Sequence, residues 1–182
     1  MPRLFAALQI PHDAALSLSL LRSGLPAARW VEVEDYHITL RFFGDVDNRV
    51  ADAIVEALDS VTGAPFSLQL KGVDVFTPKK PRALYAGVAG SLALIGLQER
   101  IERASRKAGV KAETRKFIPH VTLARLNTQV LLDDLIKYLT TRGNFESKVF
   151  NVARFVLMSS KDSVGGGPYK IEEVWPLNEK RL

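Results

Sequence analysis

The chain has 182 residues, 47% hydrophobic and 25% charged, which suits one globular domain or two tightly joined lobes able to bury a core without covalent staples. It has no cysteine, so disulfides, thiolate nucleophiles and cysteine-held metals are excluded and a reducing cytoplasm is the expected location. The net charge of +5 favours polyanionic partners. The start lacks signal-peptide layout and no apolar run approaches the ~20 residues that span a bilayer, so no membrane association is expected.

In chain order, Leu4-Phe5-Ala6-Ala7-Leu8 reads as a buried strand and 13–22 as a helix. A strand with an unusual polar pattern follows, His37-Ile38-Thr39-Leu40-Arg41-Phe42-Phe43-Gly44. Asp47 or Asn48 then caps a helix carrying Val50, Ile54, Val55 and Leu58. From mid-chain the order repeats. Leu84-Tyr85-Ala86-Gly87-Val88 is a strand, and 91–108 a helix with Leu92, Ile95, Leu97, Ile101 and Ala104 near helical spacing and Gly109 as its stop. His120-Val121-Thr122-Leu123-Ala124-Arg125 is the second polar strand. Thr128 is the expected cap of a helix carrying Leu131, Leu132, Leu135, Ile136 and Leu139. Phe66, Leu68, Leu70, Val73 and Phe76 align with Phe145, Ser147, Val149, Val152 and Phe155 at a constant offset of 79. The stretch from Ser163 to Pro168 has the composition of a mobile loop, and 169–177 reads as a final strand returning to the sheets.

The expected fold is therefore α+β: a duplicated, bilobal domain over 1–182, with lobes of approximately 1–80 and 81–160. Two antiparallel sheets flank a central groove with helices outside. A duplicated lobe packing on its copy brings equivalent strands together, which sets His37 and Thr39 opposite His120 and Thr122.

Side chains on a strand alternate faces, so each histidine shares a face with its threonine, while Ile38, Leu40, Val121 and Leu123 share the other. Buried polar groups without partners cost free energy, and a polar face at the middle of a small domain therefore needs a reason. Imidazoles change protonation near neutral pH at little cost. Two of them on opposite sides of a phosphodiester can take a proton from water and give one to the leaving oxygen, while threonine hydroxyls donate to phosphate oxygens. One buried histidine beside a threonine is ordinarily structural; two copies at identical spacing in a duplicated chain are not. A metal site is the rival reading. Three histidines in all and no cysteine, with Asp35 as the one nearby carboxylate, make a poor ligand set, so no metal and no cofactor are expected. His12 reads as a surface or capping residue.

The segments RLFAALQIP at 3–11, YHITLRFFGDV at 36–46 and RKFIPHVTLAR at 115–125 resemble those of the 2H phosphoesterases. Within them the chain is similar to the RNA 2′,3′-cyclic phosphodiesterase family, also called 2′-5′ RNA ligase. The resemblance covers nearly the whole chain. It implies a bilobal α+β fold with antiparallel sheets around a groove, and hydrolysis of RNA 2′,3′-cyclic phosphate ends to 2′-phosphomonoesters. It implies His37 as proton donor to the departing 3′ oxygen, His120 as proton acceptor from water, and Thr39 and Thr122 as phosphate-binding residues. It adds Arg125 near the phosphate and Phe42 as a base contact. Strict alternation puts Phe42 and Arg125 on the face opposite their histidines, so either the strands bulge or end there or these two are structural. Arg41 shares the parity of His37 and either touches phosphate or makes a surface ion pair.

Lys79-Lys80-Pro81-Arg82 and Arg115-Lys116 are either a track for an RNA backbone or solvated surface. The partners implied are RNAs with 2′,3′-cyclic ends or 2′-5′ linkages, tRNA fragments among them, met by a monomer. Three other activities stay open: ATP-independent joining or cleavage of 2′-5′ linkages, hydrolysis of small cyclic nucleotides, and RNA binding without turnover.

Overall fold

The computed structural model describes residues 3–160 and 167–178. Its elements are β1 (Arg3–Gln9), α1 (His12–Ser19), β2 (Arg29–Trp30), a 3-10 turn (Val33–Asp35), β3 (His37–Asp45), α2 (Asn48–Asp59), β4 (Phe66–Leu68), β5 (Leu70–Val75), β6 (Ala83–Val88), α3 (Leu92–Lys107), β7 (His120–Arg125), α4 (Leu132–Arg142), β8 (Phe150–Val152), β9 (Arg154–Ser160) and β10 (Tyr169–Pro176). The fold is α+β, as expected. Of the stretch expected to be a mobile loop, Ser163 to Gly166 lie outside the described residues.

Eight strands make one antiparallel sheet in the order β10-β9-β1-β3-β7-β6-β5, with β2 also on β7, and β4 and β8 form a separate pair. The two parts of the large sheet join at its centre through one residue pair, Ile38 with Val121. Each part takes a strand from the other half of the chain: β9 lies on β1 and β5 on β6.

The constant offset of 79 does not hold. Leu4 pairs with Ser159 as Leu84 pairs with Val75, and Phe5 with Met158 as Tyr85 with Asp74. The equivalent spacing is 80 between β1 and β6 (84 − 4), 83 between β3 and β7 (120 − 37), and 84 between β5 and β9 (159 − 75). It drifts because the connections differ in length, and surface loops absorb extra residues at little cost.

The helices cover one face of the sheet. Ile38, Leu40, Val121 and Leu123 are all buried there, in one cluster with Ile54 and Leu58 of α2 and Leu94, Leu97 and Ile101 of α3. Each such aliphatic is worth about 1.5–3 kcal/mol on removal from water, so four of them pin the two polar strands.

The caps follow the sequence in part. Asp47 accepts from the Val50 amide at 2.8 Å to start α2, and Ser91 accepts from the Leu94 amide at 3.2 Å to start α3. Gly109, at φ +84°, ends α3. Three expectations need correction. Leu131, not Thr128, is the N-cap of α4, and no side chain caps it. Residues 127–130 are instead taken up in a turn in which Asn127 Oδ1 accepts from the Gln129 amide. Leu131, Leu132 and Ile136 are exposed, and α4 buries Leu135 and Tyr138. In α3 it is Leu94, not Leu92, that enters the core. His12 is the exposed first residue of α1. Among the described residues no helix is long and apolar enough to cross a membrane.

Candidate active site

On the face away from the helices, the facing strands β3 and β7 floor a groove of about 360 Å³. His37, Thr39, Phe42, His120, Thr122 and Arg125 all line it. These six residues thus share one cavity, and Arg41 does not line it.

The two histidines are held alike. His37 Nδ1 lies 2.8 Å from the Asp35 carbonyl oxygen, and His120 Nδ1 lies 2.7 Å from the Ile118 carbonyl oxygen. A carbonyl can only accept, so each Nδ1 carries a proton. In the neutral ring Nε2 then holds the lone pair, and that is the atom left for chemistry. His37 Nε2 is 3.1 Å from Thr39 Oγ1; with a neutral ring the hydroxyl is the donor.

Each ring also sits among aromatics. Phe5 lies 5.0 Å from His37 between centroids, and Tyr169 meets it edge-on at 5.0 Å. Phe76 meets His120 edge-on at 4.8 Å, with Tyr85 at 5.5 Å. These apolar walls explain the electrostatics. Burial lowers the pKa of both histidines below the usual value. At His37 the Asp35 carbonyl and carboxylate oppose the shift, and the charges of His120 and Arg125 add to it. At His120 the Ile118 carbonyl opposes it and Arg125 adds. Arg125 disfavours the charged form of both imidazoles.

Matching bulges resolve the parity conflict at Phe42 and Arg125. In β3, Ala6 pairs with Arg41 and Ala7 with Thr39, so Leu40 is the extra residue. In β7, Leu84 pairs with Ala124 and Tyr85 with Thr122, so Leu123 is. Each bulge places two successive residues on the helix side, Leu40 with Arg41 and Leu123 with Ala124, all buried. The next residue, Phe42 or Arg125, is returned to the groove. Phe42 is 41% exposed, with the Arg3 guanidinium 5.8 Å from its ring centre.

The same bulge removes Arg41 from the site. It is buried on the helix side, in ion pairs with Glu102 (2.6 Å) and Glu113 (3.5 Å), and donates to the Lys111 carbonyl. The expectation that Arg41 touches phosphate or makes an exposed ion pair is corrected on both counts: its pair is interior, and its parity is reversed by one inserted residue.

Sequence reasoning passed over Phe5, Tyr85, Phe76 and the second role of Asp35. The signal for the first two was present, an aromatic at the same place in Leu4-Phe5-Ala6 and Leu84-Tyr85-Ala86. Asp35 Oδ1 accepts from the Tyr169 amide at 3.2 Å. A Cβ on Gly167 would collide with the same carboxylate, so this strand entry passes close over Asp35 and sets Tyr169 beside His37. Among the described residues no group of three or more His, Cys, Asp or Glu side chains is placed to hold a metal ion.

This architecture is found in solved structures. The Escherichia coli LigT structure with 3′-AMP superposes with a TM-score of 0.79, over 98% of this chain and 100% of that one at 22% identity. TT0787 of Thermus thermophilus superposes at 0.78, over 96% and 97% at 20% identity. The family model of the 2′-5′ RNA ligase superfamily matches residues 14–163, and the chain belongs to that superfamily. A relative from Aeropyrum pernix, named RNA 2′,3′-cyclic phosphodiesterase, is 36% identical over 159 residues, covering 86% of this chain and 90% of its own. One from Aquifex aeolicus with the same name is 31% identical over 154 residues, covering 81% of each.

Proposed function

We propose that this protein is an RNA 2′,3′-cyclic phosphodiesterase working by metal-independent acid–base catalysis between His37 and His120. The observation that carries the reading is the two imidazoles, each fixed through Nδ1 on a carbonyl, lining one cavity with two threonines and an arginine.

The cyclic phosphate takes the centre of the groove, with Thr39, Thr122 and Arg125 on its non-bridging oxygens, where charge builds in the transition state. Water attacks phosphorus on the His120 side and gives its proton to Nε2 of His120. The P–O3′ bond breaks, and His37 Nε2 delivers its proton to O3′. The product is a 2′-phosphomonoester with a free 3′ hydroxyl. Burial lowers both histidines, and Arg125 adds to this at each; the division of labour follows the family resemblance, and the feature that favours His37 as the proton donor is the Asp35 carboxylate, which opposes the shift at His37 and has no counterpart at His120. The donor set supports the absence of a metal, since hydroxyl, guanidinium and aromatic groups dominate the groove. Asp35, the one carboxylate among its described lining residues, accepts from a backbone amide. Phe42, at the exposed rim, is positioned to face a base.

We read the chain as one domain of two lobes, approximately 1–80 and 81–160, acting as a cytoplasmic monomer on RNA ends that include tRNA fragments. The lack of cysteine fits that compartment. The test is product identification. An oligoribonucleotide with a 2′,3′-cyclic end is expected to yield the 2′-phosphate at an undiminished rate in excess EDTA. Activity lost to EDTA and restored by zinc contradicts the metal-free mechanism, and a 3′-phosphate product contradicts the leaving-group assignment. Joining of 2′-5′ linkages is the reverse type of reaction at the same site, and the same assay detects it as longer products.

A further inference from the structure

We propose that the basic trough beside the catalytic groove binds the phosphates of the RNA strand leading to the cyclic end, making this a strand-tracking enzyme rather than a mononucleotide hydrolase. This rests on the phosphodiesterase reading above and adds the substrate's length and path to it.

The trough, about 790 Å³, adjoins the groove and shares Arg3 and Arg125 with it. Its cations are Arg3, Arg29, Lys79, Lys80, Arg82 and Arg125, and among the described residues no carboxylate lines it. Asp133 and Asp134, in the first turn of α4, do not line it. Arg3 also pairs with Asp45 at 3.2 Å, so its share of the field is reduced.

Two backbone segments run from the groove into the trough. Phe76 lies against His120, and the turn after it carries Lys79, Lys80 and Arg82 before Ala83 re-enters the groove. Thr122 and Arg125 lie in the groove, and the chain after β7 continues through Leu126, Asn127 and Thr128 along the trough. The turn is shaped by its own hydrogen bonds, the Lys80 amide donating to the Thr77 carbonyl at 2.9 Å and the Thr77 hydroxyl to the Lys80 carbonyl at 3.2 Å. Lys79, Lys80 and Arg82 are exposed.

A cyclic phosphate is by its chemistry the 3′ end of a strand. The remaining nucleotides leave the groove in one direction, on their 5′ side, each adding one negative charge. A trough of cations opening from the groove, with no carboxylate among its described lining residues, fits that single exit. Backbone charge alone is recognised, so base preference is not expected along it.

The test compares a 2′,3′-cyclic mononucleotide with a cyclic-ended oligoribonucleotide, using wild type and the triple variant Lys79→Gln, Lys80→Gln, Arg82→Gln. Binding of a 2′-phosphate-ended oligoribonucleotide, followed by fluorescence anisotropy, is the second readout. Single-strand contacts contribute a slope of roughly −0.7 each to the dependence of log affinity on log salt. The triple variant is therefore expected to flatten that slope by about 2 and to lose about tenfold or more in oligonucleotide affinity and kcat/KM at low salt. Its mononucleotide kcat/KM stays at the wild-type value. Equal oligonucleotide affinity in variant and wild type overturns the proposal. So does displacement of the RNA by polyglutamate of matched charge as readily as by unlabelled RNA, since the trough is then an acidic-protein surface. Weakened RNA binding in the variant, with no turnover of either substrate by wild type, upholds the trough and overturns the phosphodiesterase reading instead.

Discussion

His37 and His120 face a conflict that their surroundings tune. Aromatic walls lower both pKa values below the ordinary 6.5, while a carbonyl on each Nδ1 pulls the other way. Catalysis needs His37 protonated and His120 neutral, so kcat/KM falls on the alkaline side as His37 loses its proton and on the acid side as His120 gains one. Both limbs describe the pair rather than single residues. In the free enzyme both lie below 6.5, and the anionic phosphate raises them in the complex, so the kcat profile is displaced to higher pH than that of kcat/KM. Asp35→Asn removes a carboxylate that favours the His37 imidazolium and is expected to move the alkaline limb of kcat/KM further down; pH–rate profiles that leave that limb in place contradict the role given to Asp35. The same lowering has a stability consequence. As pH falls below 6.5 the unfolded chain takes up these protons before the folded one does, so stability is full above 6.5 and declines with acidification.

At the scale of the element, one extra residue in each polar strand decides which side chains do chemistry. Two-residue alternation correctly put His37 with Thr39 and His120 with Thr122, because that stretch is regular. It misplaced Arg41 and left Phe42 and Arg125 undecided, because Leu40 and Leu123 are ordinary core aliphatics and nothing in their identity announces a bulge. Arg41 is thereby turned into the interior, where it ties β3 to Glu102 of α3 and to the 111–113 segment. Arg41→Ala takes the cation from the half-buried Glu102, while Glu113 keeps Arg115 at 3.0 Å, and is expected to cost about 3 kcal/mol, the low end for breaking a buried pair, measured as a fall in the denaturant midpoint, with kcat/KM of the folded protein retained. A variant of full stability and lost activity places Arg41 in catalysis after all. On α4 the apolar pattern also misled, since tertiary packing buries Tyr138 and Leu135 and leaves Leu131, Leu132 and Ile136 outside.

Across the whole molecule, duplication made the site legible. The order of elements and the repeated His-x-Thr placed both histidines in one groove from the sequence. The exchange of β5 and β9 between the parts of the sheet was not legible, because strand pairing is set by contacts distant in sequence that no local pattern encodes. That exchange, with the Ile38–Val121 pairing at the centre, ties each part of the sheet to both halves of the chain, and the separate β4–β8 pair joins the halves again through Ser67 and Asn151. A single cooperative transition is expected, with coincident denaturation curves by far-ultraviolet circular dichroism and tryptophan fluorescence; two resolved transitions contradict it.

The central claim is that both imidazoles serve one phosphorus atom, and a double-mutant cycle on kcat/KM for a cyclic-ended RNA tests it most directly. His37→Ala and His120→Ala are each expected to cost on the order of 10²-fold or more, and the double variant well short of the product of the two, because residues that act as a unit are strongly non-additive. Wild-type turnover in either single variant, or losses that simply multiply, contradicts a shared proton-transfer site.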